Sequence, residues 1–202
     1  MTKNQGVHIL NTLTAQGNMS KPVILVFAGP NGSGKTTIKK HLTHYGVYIN
    51  ADDLKKEYSL TDIEAAQKAE AFRNKLLEKE ADFTFETVLS TERNLLLLRK
   101  AKESGYEIHC IYVLTCNVDI NVARVRGRVL EGGHGVPEDK IRKRYIKALE
   151  LLPDIVPVCN KLLIYDNSIA PSLIFKKDEK SIEYFTTELW SKDKLKQLLK
   201  LK

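Results

Sequence analysis

The chain has 202 residues, of which 43% are hydrophobic and 28% charged, with a net charge of +7 and a pI near 9.2. That length buries one sizeable core and not two, so a single domain over residues 1–202 is expected. No apolar run approaches the roughly 20 residues that span a bilayer, which excludes a membrane-embedded chain, and the composition excludes a disordered one. The positive charge suits anionic partners such as nucleotides, sugar phosphates or nucleic acid. Much of it falls on Lys192, Lys194, Lys196, Lys200 and Lys202, and a solvated basic helix within residues 186–202 explains it as well.

Residues 1–18 read as an accessory arm, because 19–28 look like a chain starting on its first strand. The apolar patch 7–13 is too short and interrupted for a signal-peptide core. Cys110, Cys116 and Cys159 are an odd number without Cys-x-x-Cys spacing, as expected of reduced thiols in a cytoplasmic protein.

Apolar, β-branched runs alternate with helix-period segments, the pattern of a parallel sheet covered on both faces. Residues 23–27 form the first strand, followed by a glycine-rich loop and a helix from Lys35 to about His44. Residues 46–50 are a short second strand ending on Asp52 and Asp53. The capping box Thr61-Asp-Ile-Glu64 opens a long helix to about Ala81, with Ala65, Ala66, Ala69, Phe72, Leu76 and Leu77 as its apolar stripe. A third strand covers 83–86, a helix 91–104 and a fourth strand 106–114. Asn117 caps a helix to about Leu130, and the glycine-rich residues 132–135 connect it to another helix. Pro137 stands at the first helical position of that next helix, which runs to about Leu152. A fifth strand at 161–165, a hairpin from 174–177 and 181–185, and the basic helix complete the chain. The class is α/β: a three-layer sandwich of the P-loop NTPase kind with a mostly parallel five-stranded sheet, a helical lid and a small C-terminal hairpin.

The segment Gly29-Pro30-Asn31-Gly32-Ser33-Gly34-Lys35-Thr36, with Thr37 after it, has the form Gly-x-x-x-x-Gly-Lys-Thr between an apolar strand and a helix. Such a loop wraps phosphate with inward-pointing amides, and the helix dipole adds to the field. Lys35 is expected at the β- and γ-phosphates of ATP and the Thr36 hydroxyl on Mg²⁺. Asp52 and Asp53 end the second strand beside this loop, where open α/β sheets bind ligands. Asp52 is read as the base for an acceptor hydroxyl and Asp53 as a helix cap. Glu86 projects from the same sheet edge, suited to substrate hydroxyls or to water around Mg²⁺. Arg124, Arg126, Arg128, Arg142 and Arg144 flank the glycine connector. Arginine near a closing hinge stabilises the charge that spreads in phosphoryl transfer, and Arg128, nearest the glycines, leads.

These residues resemble the zeta-toxin-like P-loop kinases, in particular their short stand-alone bacterial members. The resemblance runs through residues 28–37, Asn50-Ala-Asp-Asp53, residues 85–90, Gly105-Tyr106, the arginine and Gly-Gly-His block of 124–137, and Arg144-Tyr145. It implies ATP-dependent phosphorylation of a small-molecule hydroxyl, which in characterised zeta toxins belongs to UDP-N-acetylglucosamine. It also implies Asp52 as catalytic base, Glu86 and Thr87 as a substrate-binding pair and Arg128 as a phosphate contact. A second phosphate-contacting arginine of the family falls on His134, so Arg124 or Arg144 takes its place or the acceptor differs. Two rival readings stay open: a nucleic-acid or dinucleotide kinase, and a non-catalytic ATP-binding half of a toxin–antitoxin pair.

Overall fold

The computed structural model describes residues 21–39, 42 and 44–201. Residues 1–20, with the arm expected at 1–18, and residues 40, 41, 43 and 202 lie outside the described residues. In chain order the elements are β1 (Val23–Ala28), α1 (Lys35–Lys39), β2 (Val47–Ile49), α2 (Ala51–Tyr58), α3 (Asp62–Glu78), β3 (Phe83–Thr87) and α4 (Glu92–Glu103). They continue with β4 (Glu107–Leu114), α5 (Val118–Leu130), α6 (Glu138–Ile155), β5 (Lys161–Asp166), β6 (Ser172–Lys177), β7 (Ile182–Tyr184) and α7 (Lys192–Leu199).

One sheet of order β2-β3-β1-β4-β5-β6-β7 holds all of these strands, parallel through β5 and antiparallel for β6 and β7. The expected five-stranded sheet is thus extended to seven. The C-terminal hairpin pairs with β5 as a continuation of the sheet, because Leu162 and Ile164 present their edge to Lys177 and Phe175. Alternation sets two core faces. Ile24, Val26 and Ala28 enter the larger cluster with Phe83, Phe85 and Tyr112, while Leu25 and Phe27 pack with Ile111, Val113 and Ile38 of α1.

Three further expectations are corrected. The helix after the glycine-rich loop is described over Lys35–Lys39, and Leu42 and His44 lie outside any helix. A helix, α2, follows β2 at once, capped by Asn50 through a bond from the Asp52 amide, so Asp52 and Asp53 lie in its first turn and Asp53 is no cap. Pro137 occupies the cap position of α6 with no side-chain bond, one residue earlier than expected. The Thr61 capping box is present, but the stripe of α3 differs. Ala65 and Ala69 are buried, Phe72 is 39% exposed, and the next buried position belongs to Arg73. Among the described residues the cysteines are free thiols, and no helix is long and apolar enough to cross a membrane.

The parallel register brings five strand ends to one edge. Phe27 and Ala28 pair with Glu86 and Thr87, Ile49 with Phe85, and Leu114 with Asp166. The glycine-rich loop, α2, the end of β3, the start of α5 and the loop after β5 therefore share one rim. Helices α5 and α6 form a hairpin held by Val122, Val125 and Ile141.

Candidate active site

The loop 29–36 leaves β1 with Gly29 at φ 136°, where a Cβ would meet the Val113 carbonyl oxygen at 2.0 Å. Gly34, at φ 92°, would drive a Cβ to 2.0 Å from Asn167 Nδ2. Only glycine fits such an approach. Asn167 uses that amide to hold the Ser33 carbonyl at 2.8 Å, and Asn121 of α5 holds the Asn31 carbonyl at 2.6 Å. Asn121 is itself buried and fixed by the Thr115 hydroxyl. Arg124 donates to the carbonyls of Asn167 (2.7 Å) and Ser168 (3.2 Å), and Arg144 reaches Asn31 Oδ1 at 3.5 Å. The cradle is thus gripped from outside its own segment, and its inner surface is left for a ligand.

Lys35 is buried, with Nζ folded onto the carbonyls of Gly29 (2.7 Å) and Pro30 (3.1 Å). Burial pushes its pKa down, against the fields of Glu86 and Asp52, and Arg128 pushes it further down. The ammonium therefore feels groups from β3, α2 and α5 together. Ser33 Oγ is buried without a hydrogen-bond partner among the described residues, and Thr36 and Thr37 expose their side chains on the first turn of α1. A glycine cradle, a buried ammonium, an orphan hydroxyl and a helix N-terminus fit a polyphosphate. The Thr36 hydroxyl is a hard oxygen of the kind Mg²⁺ accepts.

Asp52 and Asp53 face different surroundings. Asp52 bears on Lys35, whereas Asp53 lines, with Asn50, Leu54 and Phe72, a cavity of about 440 Å³ between β2, α2 and α3. Glu86 is fixed by Tyr48 Oη (2.9 Å), by Asn50 Nδ2 (3.3 Å) and by Lys39 Nζ at 3.8 Å. Tyr48 also accepts from Lys39 at 2.7 Å and from Asn50 at 3.2 Å. Its burial, with Glu86 beside it, raises its pKa well above the usual phenol range. Thr87 accepts from Asn94 Nδ2 (2.7 Å) and from the Leu89 amide (3.0 Å).

On the lid, Arg126 pairs with Glu138, and Arg142 bridges Asp119 (2.7 Å) and Glu138 (2.9 Å), which ties α5 to α6. Arg128, His134 and Arg144 are exposed. The Asp62 carboxyl is held low chiefly by its bond to Lys55, with His134 and Lys140 lowering it in smaller part. Asp166 accepts from the amide and hydroxyl of its own Ser168, turned to its own loop. The sequence reading missed Lys39, Tyr48, Asn121 and Asn167. Only Lys39 carried a visible signal, lying one helical turn after Lys35.

A family model described as "Zeta toxin" matches residues 8–168. An uncharacterised protein of Haemophilus influenzae is 31% identical over 127 residues, spanning 60% of this chain and 91% of the relative. Among solved structures, a chain from the PezAT chromosomal toxin–antitoxin system of Streptococcus pneumoniae superposes with a TM-score of 0.56 at 20% identity, over 99% of this chain and 94% of that one. A chain of the AvrRxo1-ORF1:-ORF2 structure with ATP gives a TM-score of 0.66 at 14% identity, over 90% of this chain and 65% of that one. At these identities the structures speak for the fold.

Proposed function

The chain belongs to the zeta toxin family, and from that premise we propose that it is an ATP-dependent kinase acting on a hydroxyl of a small molecule, a nucleotide sugar such as UDP-N-acetylglucosamine. The observation that carries this reading is the shared rim, where the glycine-rich loop with its buried Lys35 meets Asp52 in the first turn of α2 and Glu86 at the end of β3. Carboxylates at that rim can serve an acceptor hydroxyl, and in phosphoryl transfer a carboxylate is what accepts its proton.

Lys35 leaves the carbonyls of Gly29 and Pro30 to neutralise the β- and γ-phosphates, while the loop amides position them. Thr36 would hold Mg²⁺, which supplies charge neutralisation between those phosphates. Asp52 takes the proton of the acceptor hydroxyl, Glu86 and Thr87 orient that acceptor, and Arg128 closes with the lid on the transferring group. Incubation with γ-labelled ATP and a panel of nucleotide sugars, nucleosides and oligonucleotides tests class and acceptor together. Asp52→Asn is expected to lower kcat by roughly 10²–10⁴-fold with ATP affinity retained. Full activity in that variant would remove Asp52 from the chemistry.

The PezAT neighbour comes from a toxin–antitoxin system, which supports a second, compatible element of the proposal: an antitoxin protein as partner. Co-purification of a stable complex with the product of an adjacent gene, and loss of transfer in that complex, is the expected result.

A further inference from the structure

The two edges of the sheet are not alike. β7 carries Glu183, tied to Lys176 at 2.7 Å, and Lys192 lies 5.5 Å from the centre of the Tyr184 ring, so that edge is charged. Edges are normally guarded in this way, because an unpaired strand offers its backbone to any other chain. Among the described residues β2 pairs with β3 alone, its three residues Val47, Tyr48 and Ile49 carry no charge, and Val47 is 55% exposed. Beside this edge runs the cavity of about 440 Å³, walled by α2 and α3, with Tyr58 and Phe72 facing it and both exposed. Helix α2, which carries Asp52, has no buried residue, so its own core leaves it without cover on that side.

A second observation is the order of charge along the groove. Asp53 and Glu57, one turn apart on α2, line it beside Asn50, at the end of β2. Lys75 and Lys79, one turn apart at the end of α3, line it towards the start of β2, since Val47 pairs with Phe83, four residues after Lys79. All four are exposed, and among the described residues none of them forms an ion pair. An acidic end and a basic end, held apart along one strand, complement the same arrangement turned through half a circle. A partner strand of a single charge sign would be repelled at one of the two ends.

We infer that β2 pairs antiparallel with β2 of a second copy of this chain, about a two-fold axis normal to the sheet. That axis joins the two sheets into one and keeps the helices on the same face, so α2 of each protomer lies beside α3 of its partner. Asp53 and Glu57 of one protomer then face Lys75 and Lys79 of the partner subunit, and the reverse. Val47 is covered, and the helix that carries Asp52 is braced from its open side. The surface lies outside the loop at 29–36, and the inference stands whether or not the chain transfers phosphate.

The test is sedimentation velocity of the full, ligand-free chain across about a hundredfold range of concentration, where wild type is expected to pass from monomer to dimer. Glu57→Lys and Lys79→Glu are each expected to weaken the dimer roughly tenfold or more, by setting like charges against each other. The double variant Glu57→Lys/Lys79→Glu is expected to recover most of that loss, because it exchanges the two ends. Val47→Lys places a charge on the edge itself and is expected to abolish the dimer. These side chains are exposed in the protomer, so circular dichroism and ATP-analogue binding of each variant are expected to match wild type and serve as the folding control. Wild type that stays monomeric throughout overturns the inference and leaves the groove to the strand of another protein or to a small molecule. A dimer that survives Val47→Lys also overturns it, since the contact then lies elsewhere. So does a dimer that the single reversals do not weaken, or that the double reversal does not restore, because the charges then do not meet across the two-fold.

Discussion

Asn50 works in two directions. Its Oδ1 caps the helix that carries Asp52, and its Nδ2 reaches Glu86, so one side chain sets the spacing of two carboxylates that bear on Lys35. Asn50→Asp keeps the cap but replaces the donor to Glu86 with a like charge. Transfer is expected to fall by tenfold or more while circular dichroism and ATP-analogue binding stay near wild type; a fall in helicity instead would mean that the cap was the main loss. Lys35 allows a prediction with a sign. Its folded pKa lies below 10.5, so the unfolded state holds more protons between the folded value and 10.5, and stability rises with pH through that alkaline window. Below the window the cost of the buried ammonium is fully present. Lys35→Met should therefore stabilise the ligand-free chain by about 1 kcal/mol at neutral pH. Urea unfolding should show that advantage shrinking as pH approaches 10.5, together with loss of ATP-analogue binding.

Among the elements, those with an apolar period were legible and those without one were not. The capping box and the buried strands stood out because their chemistry is local. Helix α2 has no buried residue at all, so periodicity gave no sign of it and its two aspartates were read as a strand end. Arg73 was invisible for the opposite reason: an arginine on a helix reads as solvent-facing, and only the packing of α3 over Phe85 shows otherwise. The lid arginines divide in a way no spacing reveals. Arg126 staples α5 to α6 through Glu138 and Arg142 does so through Asp119, leaving Arg128 outside that network. Gly133 lies against it, since a Cβ there would sit 2.6 Å from Arg128 Cγ and 2.9 Å from the Arg128 carbonyl. Gly133→Ala is expected to lower kcat about tenfold by displacing Arg128, while leaving ATP-analogue binding largely unchanged. Gly135→Ala, whose Cβ would meet only a Val129 methyl at 3.0 Å, serves as the milder comparison in the same kinetic assay.

At the scale of the whole molecule, the sequence placed the rim of the sheet through its motifs, but not the asparagines, Asn121 and Asn167, that clamp the loop across about 90 and 134 residues of chain. The same distance between sequence and space bears on the net charge of +7. The terminal basic helix is no free polyelectrolyte arm: Leu195, Leu199 and Trp190 are buried in the larger core, and its lysines lie on the outer face. A small-molecule kinase has no use for those lysines in catalysis, whereas a kinase acting on a polynucleotide would draw on them for phosphate contacts, each lost contact flattening the salt dependence by about one unit of slope. Replacing Lys192, Lys194, Lys196 and Lys200 by glutamine is therefore expected to leave kcat/KM on a nucleotide sugar within about twofold, with no change in its dependence on salt. Transfer to an oligonucleotide that weakens steeply with salt in wild type, and loses several units of slope in the quadruple variant, would instead make the polyanion the acceptor and turn the basic helix into part of its track.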